Sequence, residues 1–243
     1  MKQKGAAMLL EKMTWAEVEG YLKKDDRIIL VTASCEEHGY HMAVGNDSIT
    51  AYKLAARVGE RAGVVVAPVL YYGMSLPLVD FPGTISLQAS TFQAVVMDIL
   101  SCVYRQGFRR IFVVNGHGEN VPCLEAIVPQ ALATYPGMQI KIRTWFTHHK
   151  VVQMVMESFP KPDGHAGANE TSVSLYLTPE IVNLEKAEGT VPKKQAIFYG
   201  PAEFRQTYPS GAQGLGIKQA NAEFGKRVVD FVVDTFTKHV QEW

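Results

Sequence analysis

"RIILVTASCEEHGYHMAVGND", residues 27–47, joins two unlike halves. Residues 27–34 are continuously apolar and rich in β-branched side chains. That pattern fits a strand covered on both faces, not one alternating between core and water. Residues 35–47 then crowd Glu36, Glu37, His38, His41 and Asp47 together. A buried strand ending in acid and imidazole groups reads as one strand of a parallel α/β sheet, with a ligand site beyond its carboxyl end.

Three more runs repeat the first half: "GVVVAPVLY" (63–71), "RRIFVVNG" (109–116) and "QIKIRTWF" (139–146). Helix-like stretches alternate with them. "DSITAYKLAARVGERAG" ends at Gly63, and "STFQAVVMDILSCVYRQGF" opens with Ser90 and Gln93 in capping-box spacing and closes near Gly107. "NVPCLEAIVPQALATYPG", "NETSVSLYLTPEIV" and "NAEFGKRVVDFVVDTFTKHVQEW" supply three more, the last striped by Phe224, Val228, Phe231, Val232 and Phe236. The alternation predicts a three-layer α/β/α fold with a mostly parallel central sheet, in a single domain over 1–243. Residues 185–216, rich in Gly, Pro and charge, are expected to form a long surface loop or a subunit contact.

Composition narrows the function. The chain has 243 residues, 47% hydrophobic, enough to bury a core without disulfides. Lys plus Arg and Asp plus Glu both number 24, so nothing draws the chain broadly to nucleic acid or an anionic membrane. No run is long and apolar enough to span a bilayer, and the N-terminus does not read as a signal peptide. Cys35, Cys102 and Cys123 are widely spaced and odd in number, which fits a reducing, cytoplasmic setting. The expected partner is a small molecule.

In extended chain, residues two apart face the same way, so Glu36 and His38 can share a site while Glu37 points elsewhere. The run 115–120, Asn-Gly-His-Gly-Glu-Asn, follows the third strand, and glycines beside His117 leave room for a ligand. Mixed carboxylate and imidazole ligation suits Zn, Mn or Fe rather than Ca. Asp47 can bridge two cations, and paired cations about 3.5–4 Å apart turn water into a nucleophile and polarise a carbonyl. A third cluster, "PDGHAGANETS" (162–172), sets Asp163 beside His165 as its orienting partner and puts Glu170 at a helix start, as a cap, a further ligand or a catalytic helper of His165 in proton transfer. Ser75 is a candidate substrate contact. His41 is read as supporting or structural, Cys35 as an inert thiol, Gly83 and Thr84 as a tight turn. His148 and His149 are adjacent, so they diverge and suit a solvated or rim position.

These elements together resemble the creatininase family. "EEHGYHMAVGND" is similar to its Glu-x-His-Gly-x-His pattern with a following Asp, "VNGHGEN" to its Asn-Gly-His-Gly element, "YGMSLPLVDFPGTISL" (72–87) to its Phe-Pro-Gly-Thr segment, and "HAGANETS" to its His-Ala-Gly-x-x-Glu-Thr-Ser element. The resemblance implies the family's layered α/β fold and a homo-oligomer, often a hexamer. It implies two divalent cations, one held by Glu36, Asp47 and His117, the other by His38, Asp47 and Glu119, with His165 catalytic. Glu170 is the alternative to Glu119 at the second cation. The namesake enzyme carries a Tyr where this chain has Gly118, a substrate-facing position, and a Trp in the loop before its catalytic histidine, where this chain has Lys161, Pro162, Asp163 and Gly164. Those differences point away from creatinine. The expected activity is hydrolysis of a C–N bond in a cyclic amide or formamide by a metal-bound water. Action on a keto-sugar or lactone at the same ions, and a non-catalytic binding role, are the alternatives.

Overall fold

All four apolar runs become strands: β1 (Arg27–Thr32), β2 (Val65–Leu70), β3 (Arg110–Asn115) and β4 (Gln139–Thr144). The computed structural model describes residues 7–160, 163–192 and 199–243. The strands are parallel in the order β2-β1-β3-β4. The β1/β3 ladder is unbroken from Arg27 opposite Arg110 to Thr32 opposite Asn115. The chain runs from these central strands toward opposite edges of the sheet, β1 to β2 and β3 to β4, so the crevice beyond their carboxyl ends is the switch point where α/β sheets bind ligands.

The helices among the described residues are α1 (Trp15–Leu22), α2 (Asn46–Ala62), α3 (Ala89–Gln106), α4 (Asn120–Thr134), α5 (His149–Ser158), α6 (Ala168–Leu177), α7 (Pro201–Thr207) and α8 (Ala222–Gln241). Alternate strand residues supply two cores. Ile29, Val31, Phe112 and Val114 pack against α2, α5, α6 and α8, while Ile28, Leu30, Ile111 and Val113 pack against α3 and α4. The three layers are those the alternation predicts. No described helix is long and apolar enough to cross a membrane.

Local expectations fare unevenly. Helices α2 and α3 end at Gly63 and Gly107, both left-handed. The Ser90–Gln93 capping box does not form: α3 starts two residues earlier, with Gln88 in place of Ser90 at the N-cap and no side-chain cap bond. The stretch 185–216 is not all loop, because α7 starts at Pro201, with the Gly200 amide donating to Glu203 at 2.7 Å. Residues 193–198 of that stretch, and Lys161 and Pro162 before His165, lie outside the described residues.

Candidate metal centre and active site

Gly116, just past β3, allows the close approach that builds the site. A Cβ there would lie 2.6 Å from the Ala51 Cβ and 2.9 Å from the Asp47 carbonyl oxygen. The first turn of α2 therefore sits against the end of β3, and Asp47 meets His117. Its carboxylate lies at a helix N-terminus, where the helix dipole favours negative charge. Ser34 donates to Asp47 Oδ2 at 2.8 Å. Asn115 holds the following turn, its amide nitrogen donating to the His117 carbonyl oxygen at 2.5 Å.

Two clusters share Asp47. In one, Nδ1 of His117 lies 3.0 Å from Asp47 Oδ2 and 3.2 Å from Glu36 Oε1. In the other, Nε2 of His38 lies 2.9 Å from Asp47 Oδ1 and 3.9 Å from Glu170 Oε2. Each set can offer one ligand atom per residue within 4.8 Å of one another. Glu36, His38, Asp47 and His117 are all buried.

The far nitrogens decide what the near ones offer. Nε2 of His117 meets the Met74 carbonyl oxygen, and Nδ1 of His38 meets the Glu36 carbonyl oxygen at 3.2 Å. A carbonyl only accepts, so those nitrogens carry the protons of the neutral rings. Lone pairs are left facing carboxylates. With the proton of the neutral ring on Nδ1, Nε2 of His38 has no donor to satisfy it, its buried neighbour being Asp47 Oδ1. Acceptors turned on one another this way call for a positive charge between them, a divalent cation or a proton. In the metal-free protein protons fill the gap. Burial disfavours charge on His38, but Asp47 overrides it and raises the pKa to about 9. Burial likewise opposes charge on His117, yet Glu36 and Asp47 hold its pKa well above the ordinary value. Asp47 is held far below the usual carboxylate range, because both imidazoles outweigh its own desolvation.

Glu170, not Glu119, stands beside His38 and Asp47. Its Oε2 accepts from the Ala166 amide at 2.7 Å. Glu119 faces the same cavity, and burial raises its pKa to about 7, with the His117 charge opposing and Glu36 adding.

His165 also reaches the site, with Nδ1 3.6 Å from Glu36 Oε1. Its orienting carboxylate is Glu37, whose Oε1 lies 3.0 Å from Nε2. Asp163, expected in that role, instead caps α6, accepting from the Ala168 amide at 2.5 Å and the Asn169 amide at 3.2 Å. Glu37 is outside both clusters that share Asp47, as strand alternation suggests, but its partner lies far along the chain, where spacing gives no signal. Ser75 is fully buried and donates to Glu36 Oε2 at 2.5 Å, so it braces a carboxylate instead of meeting substrate. Gly118 lines the cavity beneath the Phe146 ring. His41 binds Thr171 at 2.9 Å, and burial plus the His38 charge lower its pKa to about 4, leaving a neutral structural ring. Cys35 is buried, and burial raises its thiol pKa. His148 caps α5, accepting from the Lys150 amide, and stacks on His149.

With this geometry in hand, the comparisons agree. The family model described as "Creatininase: Creatinine amidohydrolase" matches residues 11–240. Among curated proteins, the chain is 27% identical to a creatinine amidohydrolase of Pseudomonas putida, covering 97% of each. It is 26% identical to a 3-dehydro-scyllo-inosose hydrolase of Thermotoga maritima, covering 99% of this chain and 85% of the relative. It is 29% identical to a mycofactocin precursor peptide peptidase of Mycolicibacterium smegmatis, covering 89% and 85%. Among solved structures, a manganese creatininase superposes with a TM-score of 0.86 at 26% identity, covering 97% of this chain and 98% of that one. A Zn–Zn form of a creatininase mutant gives 0.85 at 26% identity, covering 98% of each.

Proposed function

The chain belongs to the creatininase family of metal-dependent hydrolases, and on that premise we propose that it cleaves a C–N bond of a cyclic amide or formamide. The observation that carries this reading is the pair of acid–imidazole clusters joined at Asp47, at the floor of one cavity. Glu36, Asp47 and His117 would hold one cation; His38, Asp47 and Glu170 the other. Two divalent ions there, Zn, Mn or Fe, supply a water-derived nucleophile at neutral pH and polarise the substrate carbonyl.

The chain's own groups handle the protons. Glu119, outside both ligand sets, can take or give a proton at neutral pH from its place in the cavity wall. His165 presents Nδ1 toward Glu36, while Glu37 fixes its Nε2–H. Its Nδ1 is thereby free to take up the proton released when water is activated and to hand it to the leaving nitrogen. Ser75 keeps Glu36 aimed at its cation.

Relatives named for amide and peptide hydrolysis support C–N cleavage. The relative named 3-dehydro-scyllo-inosose hydrolase favours a second reading, attack on a cyclic keto-sugar at the same floor. We also read the working form as a cytoplasmic homo-oligomer. Manganese-loaded protein given a panel of cyclic amides, formamides and keto-inositols, with product analysis, separates the two. Release of an amine together with a carboxylate or formate supports C–N cleavage; turnover of the keto-inositol alone overturns it.

A further inference from the structure

Helix α5 is apolar on two sides. Val151 and Met154 enter the core. Val152, Val155 and Met156, spaced i, i+3, i+4, line the cavity above the acid–imidazole floor. Val152 and Met156 remain 42% and 52% exposed, in a concave wall where water gains nothing from them. Three other parts of the chain face the same space: Leu78 from a short 3-10 turn, Phe146 after β4 and Phe204 on α7. At Gly118 the nearest side chain, Phe146, stands 3.8 Å from where a Cβ would be, so the room between floor and wall stays open. The cavity holds about 530 Å³, and its described lining contains neither Lys nor Arg while carrying several acids.

We infer that this wall is a specificity subsite: the substrate is a neutral carbonyl compound bearing an apolar group about the size of a leucine or phenylalanine side chain, seated between α5 and the rings of Phe146 and Phe204. The inference rests on the cation reading of the floor, which would grip the carbonyl. Pockets of this volume, largely apolar with a few convergent polar groups, recognise ligands by that division of labour. A small, wholly polar substrate would leave the wall wet and unused. An anionic tail would meet Glu119 and Asp163, the lining acids outside both ligand sets.

Straight-chain hydroxamic acids, from acetohydroxamate to octanohydroxamate, test the wall without turnover. The head chelates divalent ions and the tail projects away from them. Calorimetry on the manganese-loaded full chain should show Kd tightening about fourfold per added methylene, then levelling as the cavity fills. Succinyl hydroxamate, ending in a carboxylate, should bind at least tenfold more weakly than butyrohydroxamate. In Val152→Asp and Met156→Asp the gain per methylene should fall below twofold; both sites are exposed enough to accept the change, and melting curves check the fold. Equal affinities along the wild-type series overturn the apolar subsite and leave the cation reading intact. No binding of acetohydroxamate overturns the cation reading beneath it. An unchanged series in the two variants, with altered oligomeric state by gel filtration, marks the face as a contact between copies and also overturns the inference.

Discussion

Nε2 of His165 lies 2.9 Å from the carbonyl oxygen of Glu37 and 3.0 Å from its carboxylate Oε1, across a separation of 128 residues. Both neighbours accept, so the proton of the neutral ring belongs on Nε2 and the Nδ1 lone pair faces the metal centre. The second Glu37 oxygen accepts from the Gly39 amide at 2.8 Å, which locks the carboxylate itself.

Glu37→Ala should lower kcat about 10–100-fold while cation content and KM change little, the usual loss when an outer partner of a site histidine is removed. Proton–nitrogen correlation spectra should show His165 leaving the Nε2–H form. Gly211→Ala should produce the same kcat loss, because its Cβ would lie 1.8 Å from Glu37 Oε2 at a φ of +86°. An unchanged kcat in Glu37→Ala removes Glu37 from the mechanism.

Asp163→Ala separates capping from orientation. Losing the bonds to the α6 amides should cost about 1 kcal/mol. That lowers the melting temperature by roughly 2–4 °C. Its kcat should change far less than that of Glu37→Ala. A larger kcat loss in Asp163→Ala would restore Asp163 as the partner of His165.

Cation binding should release protons. Below the raised histidine pKa values the metal-free site is protonated, and each cation needs a neutral imidazole, so about two protons leave at pH 7. Affinity should therefore rise with pH and level off only above about pH 9, once His38 has lost its proton beforehand. The metal-free fold behaves in the opposite sense. His38 has a raised pKa in the folded state, so its contribution to stability is full below the ordinary value of 6.5 and is lost as pH rises through about 9. Calorimetry in two buffers of different ionisation enthalpy measures the protons; binding heat independent of buffer contradicts the account.

Ser75→Ala should weaken one cation about 10–100-fold by freeing Glu36 Oε2. Competition with a chromogenic chelator reads this directly, and the second cation serves as the internal reference. Equal weakening of both would mean a general disturbance instead.

Legibility followed the range of the interactions. Strands β1 and β3 were plain because a strand buried on both faces needs an unbroken apolar run, and Ile28 to Val31 and Ile111 to Val114 supply one. The acids and imidazoles at their ends were readable for the same local reason. Helix α1 carries a local signal in Thr14 and Glu17, which form a capping box, and α5 in the spacing of Val151, Met154 and Val155. The Ser90–Gln93 spacing misled because such a box only permits a start, and Phe92 entering the core allows α3 to begin earlier. Choices between similar carboxylates were beyond reach. Glu37 or Asp163 at His165, and Glu170 or Glu119 at His38, are decided by how α6 packs against α2 and α8, a tertiary fact that spacing does not encode.

The central claim is the shared carboxylate of Asp47, and metal stoichiometry joined to anomalous diffraction tests it most directly. Manganese-loaded crystals should show two anomalous peaks per chain, about 3.5–4 Å apart with Asp47 between them. Asp47→Asn should lose both and Glu170→Gln only the peak beside His38. A single peak, or two peaks with Asp47 outside the coordination sphere of either, would contradict the account.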